Sequence, residues 1–267
     1  MRKFRLLIML AATVVFFGCS GSDNGGGTDP EPTPVDKSGN LLGSGDSAND
    51  FLSNENFNSL RVDIGYVRGI RPASQAMDNF ATFLRDRTFK QDIEITYIEL
   101  DSPNEDDLTI QEIADLEEEN RTAYNDGDNL AVYIYFADAP DEDDDLDEGL
   151  VTLGAVYRNT SMVIFASTIR ELASRSALLT VTDIQSATLN HEFGHLLGLV
   201  DLGTPEINPH EDPNAINHCN VEGCLMRAEL EFGMGMIGML ESRAAKGAAI
   251  IPLDGECIRD LQANGGR

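Results

Sequence analysis

The sequence predicts an α+β fold, with an α/β-like N-terminal lobe built on a mixed, twisted sheet. Three observations predict it. From about Phe57 onward, strand-like runs alternate with helix-like ones. One run, Leu130 to Phe136, is apolar along nearly all its length, as a central strand covered on both faces has to be. The β-rich stretch Leu153 to Phe165 is interrupted once, at Arg158-Asn159-Thr160, which makes it a hairpin or a bent strand. The folded domain is expected over residues 51–267, with one lobe ending near 198 and a second over 199–267.

Each element follows from its local pattern. Leu60 to Val67 alternates apolar and polar residues, the period of a half-buried strand. Arg71-Pro72 opens a helix that puts Ala76, Phe80, Phe83 and Leu84 on one face. Ile93 to Leu100 reads as a second strand, and Leu108 to Ala123 as an acidic helix with Ile110, Ile113 and Leu116 turned inward. The methionine-rich stretch Phe232 to Leu240 reads as a flexible wall near a cleft or as simple core filling. Leu253 to Leu261 reads as a closing helix. The acidic run Asp141 to Glu148 lacks the spacing of a calcium loop and reads as a solvated loop.

Forty-six acidic against nineteen basic side chains give a net charge of −27, which repels phosphate backbones and argues against a nucleic-acid partner. A monomer is expected. Residues 1–18 read as a signal peptide: Arg2, Lys3 and Arg5 precede the apolar run Leu6 to Phe17, which is too short to span a bilayer, for which about twenty residues are needed. Cys19, just after Gly18, resembles the lipidated cysteine of bacterial lipoproteins. That resemblance implies acylation of Cys19 and an outer-membrane or cell-surface location in a Gram-negative cell; a plain signal peptide is the alternative. A Gly/Pro/acidic tether is expected over 19–50. Of the remaining cysteines, Cys219 and Cys224 are placed to close a small disulfide loop in an oxidising compartment, leaving Cys257 over.

All four histidines, His191, His195, His210 and His218, fall within 28 residues. A helix is expected from Thr182 to Leu197, capped by Thr182 and Gln185 and ended by Gly198. It sets His191 and His195 one turn apart on one face, so both imidazoles reach one ion. Zinc suits neutral nitrogen ligands with an open fourth position, and Glu192 beside the first ligand is placed as general base toward metal-activated water. A helix that merely happens to carry two histidines and a glutamate is the bland alternative.

The string His191-Glu-Phe-Gly-His195-Leu-Leu-Gly198-Leu-Val-Asp201 resembles the long motif of the metzincin zinc peptidases, and Cys224-Leu225-Met226 resembles their Met-turn. The resemblance covers about residues 182–230 and implies a zincin fold with Met226 beneath the ligands. Two relatives point to different third ligands. Snapalysins place aspartate where Asp201 stands. The archaemetzincins place histidine in a string like His218-Cys219-(four residues)-Cys224-Leu-Met226. His218 is favoured, with Asp201 as the alternative, and residues 202–217 then loop out. The Tyr that several metzincins carry after the methionine is replaced by Ala228. Archaemetzincins also carry a second, cysteine-rich zinc site, for which three cysteines are too few. One zinc ion per chain is therefore expected.

The expected activity is endopeptidase cleavage of a protein or peptide lying along an edge strand from the Leu153–Phe165 region. A surface binding lipoprotein of the same shape with little turnover is the alternative, and Glu192 argues against it.

Overall fold

The computed structural model describes residues 35–145, 151–230, 233–246 and 250–267. The signal segment, Cys19 and the Gly/Pro tether up to residue 34 lie outside the described residues, as do 146–148 of the acidic run. Five strands form the main sheet: β1 (Ser59–Val67), β2 (Asp92–Leu100), β3 (Asn129–Ala137), β4 (Gly154–Arg158) and β5 (Ser161–Phe165). Their order is β2-β1-β3-β5-β4, with β4 alone antiparallel to its neighbour. The Arg158–Thr160 interruption is thus a hairpin, and it leaves β4 as an edge strand.

The central strand shows why the sheet needs two covers. Leu130, Val132, Ile134 and Phe136 of β3 enter one core, while Tyr133, Tyr135 and Ala137 enter the other, the period-two alternation of a doubly buried strand. The larger core is closed by α1 (Ala48–Leu52), α2 (Ser74–Arg87), α4 (Ala166–Arg175) and α5 (Val181–Leu196); α3 (Ile110–Asn120) covers the opposite face through Ile113 and Leu116. Phe193 of α5 lies edge-on between Phe51 and Phe80, at ring separations of 5.2 and 5.3 Å. Loss of such a buried ring costs about 3–5 kcal/mol.

The edge hairpin is anchored from the far side. Glu117 of α3 takes Arg121 at 2.7 Å and Arg158 at 2.9 Å, and the Arg121–Glu117 pair is buried. Removing one partner of such a pair strands a charge, at a cost of about 3–5 kcal/mol.

Order begins earlier than the sequence implied. Asn40 is fully buried and donates to Asn125 Oδ1, Ala131 O and Thr160 Oγ1. Leu42 N–H donates to Asn159 Oδ1, and Asn159 N–H to Leu42 O. Polar composition hid a segment held by side-chain amides rather than by apolar burial.

The C-terminal part carries a short hairpin, β6 (Glu211–Asp212) and β7 (Ala215–Cys219), then α6 (Gly233–Ala244) and α7 (Gly255–Ala263). The methionine-rich stretch is therefore largely helix. Its Met236 and Leu240 are buried, and Thr188 of α5 contacts Met236 Sδ at 3.8 Å, so these residues fill core rather than wall a cleft.

Candidate functional site

The helix α5 is buried continuously from Ile184 to Leu196. Its capping box is formed by Thr180 and Asp183, two residues before the expected pair: Thr180 N–H donates to Asp183 Oδ2 at 2.8 Å, and Asp183 N–H to Thr180 Oγ1 at 3.3 Å. Gln185 instead accepts from Ala73 N–H at 2.9 Å, bracing the start of α2. Gly198, at φ +71°, turns the chain out of the helix.

Three imidazoles meet at the end of this helix. His191, His195 and His218 are all buried, and one ring nitrogen of each lies within 4.8 Å of the others. His191 Nδ1 lies 2.7 Å from Leu225 O, and His218 Nδ1 lies 2.9 Å from Ile216 O. A carbonyl only accepts, so each Nδ1 carries the proton and each Nε2 is left as a lone-pair donor to a metal. His191 Nε2 and His195 Nε2 stand 3.2 Å apart. Burial first, and then the neighbouring His191 and His218, hold the His195 pKa well below the ordinary imidazole value, which keeps the ring neutral. Neutral nitrogens converging on one point fit a zinc ion.

Asp201 is not brought to this point. It is exposed, at φ +61°, on the turn that returns the chain to Thr204, whose N–H donates to Gly198 O. The chain brings its third imidazole to this point with His218 of β7, beyond the turn that carries Asp201.

Met226 is buried against the helix between the two histidines. A Cβ at Gly194 would collide with Met226 Sδ and stand 3.0 Å from its Cε, so the thioether occupies the space this glycine leaves open. Gly154, at the start of β4, does the same for Glu192: a Cβ there would lie 2.6 Å from Glu192 Cγ and 3.0 Å from Oε1. Sequence reasoning did not single out Gly154. Its signal was a glycine inside a β-rich run, which marks a close approach.

A pocket of about 300 Å³ opens over the histidines, bounded by Ala155 and Val156 of β4, by Glu192, His195 and His218, and by Ser44, Leu202 and Asn217. Asn217 is held at φ +62° with its N–H on Glu211 Oε1 at 2.7 Å.

The expected Cys219–Cys224 disulfide is not formed. Cys219, Cys224 and Cys257 are all free thiols and all buried. Their sulfurs, with one Asp254 oxygen, lie within 4.8 Å of one another. His210 lies in the loop just before β6 and is buried beside them, with Nε2 3.5 Å from Cys257 Sγ and 3.6 Å from Asp260 Oδ2.

No protein-family model and no curated protein matches this sequence. Among solved structures, the chain is similar to archaemetzincin from Methanopyrus kandleri: 16% identity, 78% of this chain and 96% of that chain covered, and a TM-score of 0.49.

Proposed function

We propose that this chain is a zinc-dependent endopeptidase, acting on protein or peptide substrates outside the cytoplasm and anchored through Cys19. The observation that carries the reading is the meeting of three buried imidazoles, with Glu192 on the same helix, in a pocket beside an edge strand. On this reading His191, His195 and His218 hold the metal, and Met226 is the Met-turn residue beneath them.

A zinc ion bound there supplies Lewis acidity, polarising a carbonyl and making water a stronger acid. The protein residues do the rest. Among the described residues β4 is the outer strand of the sheet, and its free edge is where an extended substrate adds as a further strand. Ala155 and Val156 of that strand line the pocket together with Glu192, His195 and His218. Glu192 takes the proton of the attacking water and delivers it to the leaving amine. Asn217 and Ser44 bring neutral hydrogen-bond donors to a pocket that has no tyrosine at the Ala228 position.

The test is casein hydrolysis by the mature chain, with and without a chelator, and by Glu192→Gln. Loss of the base should lower kcat by about 10²- to 10⁴-fold without changing zinc content. Activity that survives both chelation and the substitution sinks the proposal.

A further inference from the structure

Asn217 stands at an irregularity in the short C-terminal hairpin. Asp212 pairs with Ala215 and Glu211 with Cys219, so Ile216, Asn217 and His218 bulge out between two successive residues of β6. A bulge re-aims side chains, and bulges collect beside active sites. This one carries His218 to the other two imidazoles and puts Asn217 in the lining of the same pocket, together with Glu192. The bulge is stapled around Asn217. Its own N–H is held by Glu211 Oε1 at 2.7 Å, and Ile216 O, just before it, accepts from His218 Nδ1 at 2.9 Å.

Asparagine tolerates left-handed backbone better than most residues, so at φ +62° a turn-forming role is the ordinary reading. Turn asparagines, however, usually bond their side chain to nearby backbone. Asn104, at φ +61°, does so: its Nδ2 donates to Ser102 O at 3.0 Å. The Asn217 carboxamide makes no hydrogen bond among the described residues. It is a donor on a fixed backbone with no duty in the fold. Among the described residues no arginine, lysine or tyrosine lines that cavity.

We propose that Asn217 is a catalytic residue, its Nδ2–H donating to the carbonyl oxygen of the bond being cut as negative charge gathers there. The inference rests on the peptidase reading and deepens it. The water oxygen bonds to the carbonyl carbon, its proton passes to Glu192, and the C=O π pair moves onto the oxygen that Asn217 meets. When that pair re-forms the double bond, the C–N bond breaks and the amine leaves with the proton from Glu192. An amide set in advance where charge develops acts mainly on the transition state.

The experiment compares zinc-loaded wild type, Asn217→Gly and Asn217→Asp on a quenched fluorescent peptide built on a casein cleavage site. Glycine takes up left-handed backbone without strain, so Asn217→Gly removes the carboxamide alone. It should lower kcat per bound zinc by about 10²- to 10³-fold, with KM and Tm held. Asn217→Asp sets a carboxylate against the growing charge and should lose at least as much. Calorimetry gives a second reading. A phosphinic peptide, whose tetrahedral anion mimics the transition state, should bind Asn217→Gly more weakly by a similar factor, while the cleaved product peptide binds as it does to wild type. A purely structural role predicts the opposite, because glycine suits the turn and would keep both kcat and phosphinate affinity. An active wild type with Asn217→Gly at full kcat overturns this assignment alone. A wild-type chain with no chelator-sensitive hydrolysis sinks the peptidase reading and the assignment with it.

Discussion

Gly154 and Glu192 occupy one space: the side chain of the glutamate passes where a Cβ on the glycine would stand, 2.6 Å from Cγ. The edge strand and the candidate base are thereby set against each other. Gly154→Ala has to push Glu192 off its position, because the strand is fixed by pairing with β5 and cannot retreat. A displacement of about 1 Å in a catalytic group costs on the order of 10²-fold in rate. We expect a fall of that size in kcat, with zinc content and thermal stability close to wild type. Unchanged kcat in a folded variant would refute the role given to this contact.

Gly194 and Met226 form the corresponding pair on the other side of the ligands. A methyl at 194 meets the thioether and is flanked by Leu199 at 3.6 Å, so the strain is shared between helix and floor. Overpacking of this kind costs about 1–3 kcal/mol. Gly194→Ala should lower Tm and weaken zinc binding together, since His191 and His195 flank the position. Zinc titration of the refolded variant checks the second effect; full affinity at reduced Tm would mean that the floor does not position the ligands.

The sheet was legible because its strands are written in strong local code. Leu60–Val67 alternates and Leu130–Phe136 is continuously apolar, and both lie where expected. The histidine-bearing helix was legible for the same reason, through its fixed spacing of His191, Glu192 and His195. What escaped was non-local. Asn40 reads as linker but its side-chain amide donates hydrogen bonds to residues 85 to 120 positions away. Asp254 looks like an ordinary helix cap until the fold places three sulfurs beside it. The cap of α5 was misplaced by two residues because Thr180 and Thr182 both fit the pattern, and only Ala73 N–H, a distant donor, claims Gln185.

Acid should loosen the metal-free protein through His195. Its pKa in the folded state lies well below the ordinary value of 6.5, whereas the unfolded chain titrates near 6.5. In the window below 6.5 the unfolded state binds a proton that the folded state refuses, so stability is fully present above 6.5 and falls as pH drops. The slope is up to about 1.4 kcal/mol per pH unit for this group. Thermal melts of chelator-treated protein between about pH 7.5 and pH 5.5 should show a falling Tm, and His195→Asn should flatten that dependence. A Tm that stays level or rises on acidification contradicts the assignment.

The third ligand can be separated from its rival by two single substitutions. His218 is buried against both helix histidines, with ring centroids 5.4 Å from His191 and 5.0 Å from His195, and its ring is oriented by Ile216 O. Asp201 is exposed on the turn after the helix. If His218 is the third ligand, as proposed, His218→Ala should reduce affinity at the histidine centre at least about a hundredfold, more than the 10- to 100-fold typical of outer-shell losses. Asp201→Ala removes a solvated carboxylate and should leave affinity within about threefold of wild type, the scale of ordinary surface changes of ±0.5 kcal/mol. Competition against a colorimetric chelator reads both values in the same buffer. If Asp201→Ala loses the metal while His218→Ala keeps it, the chain returns to the ion at the turn after Gly198, and the looped-out course of residues 202–217 has no part in binding.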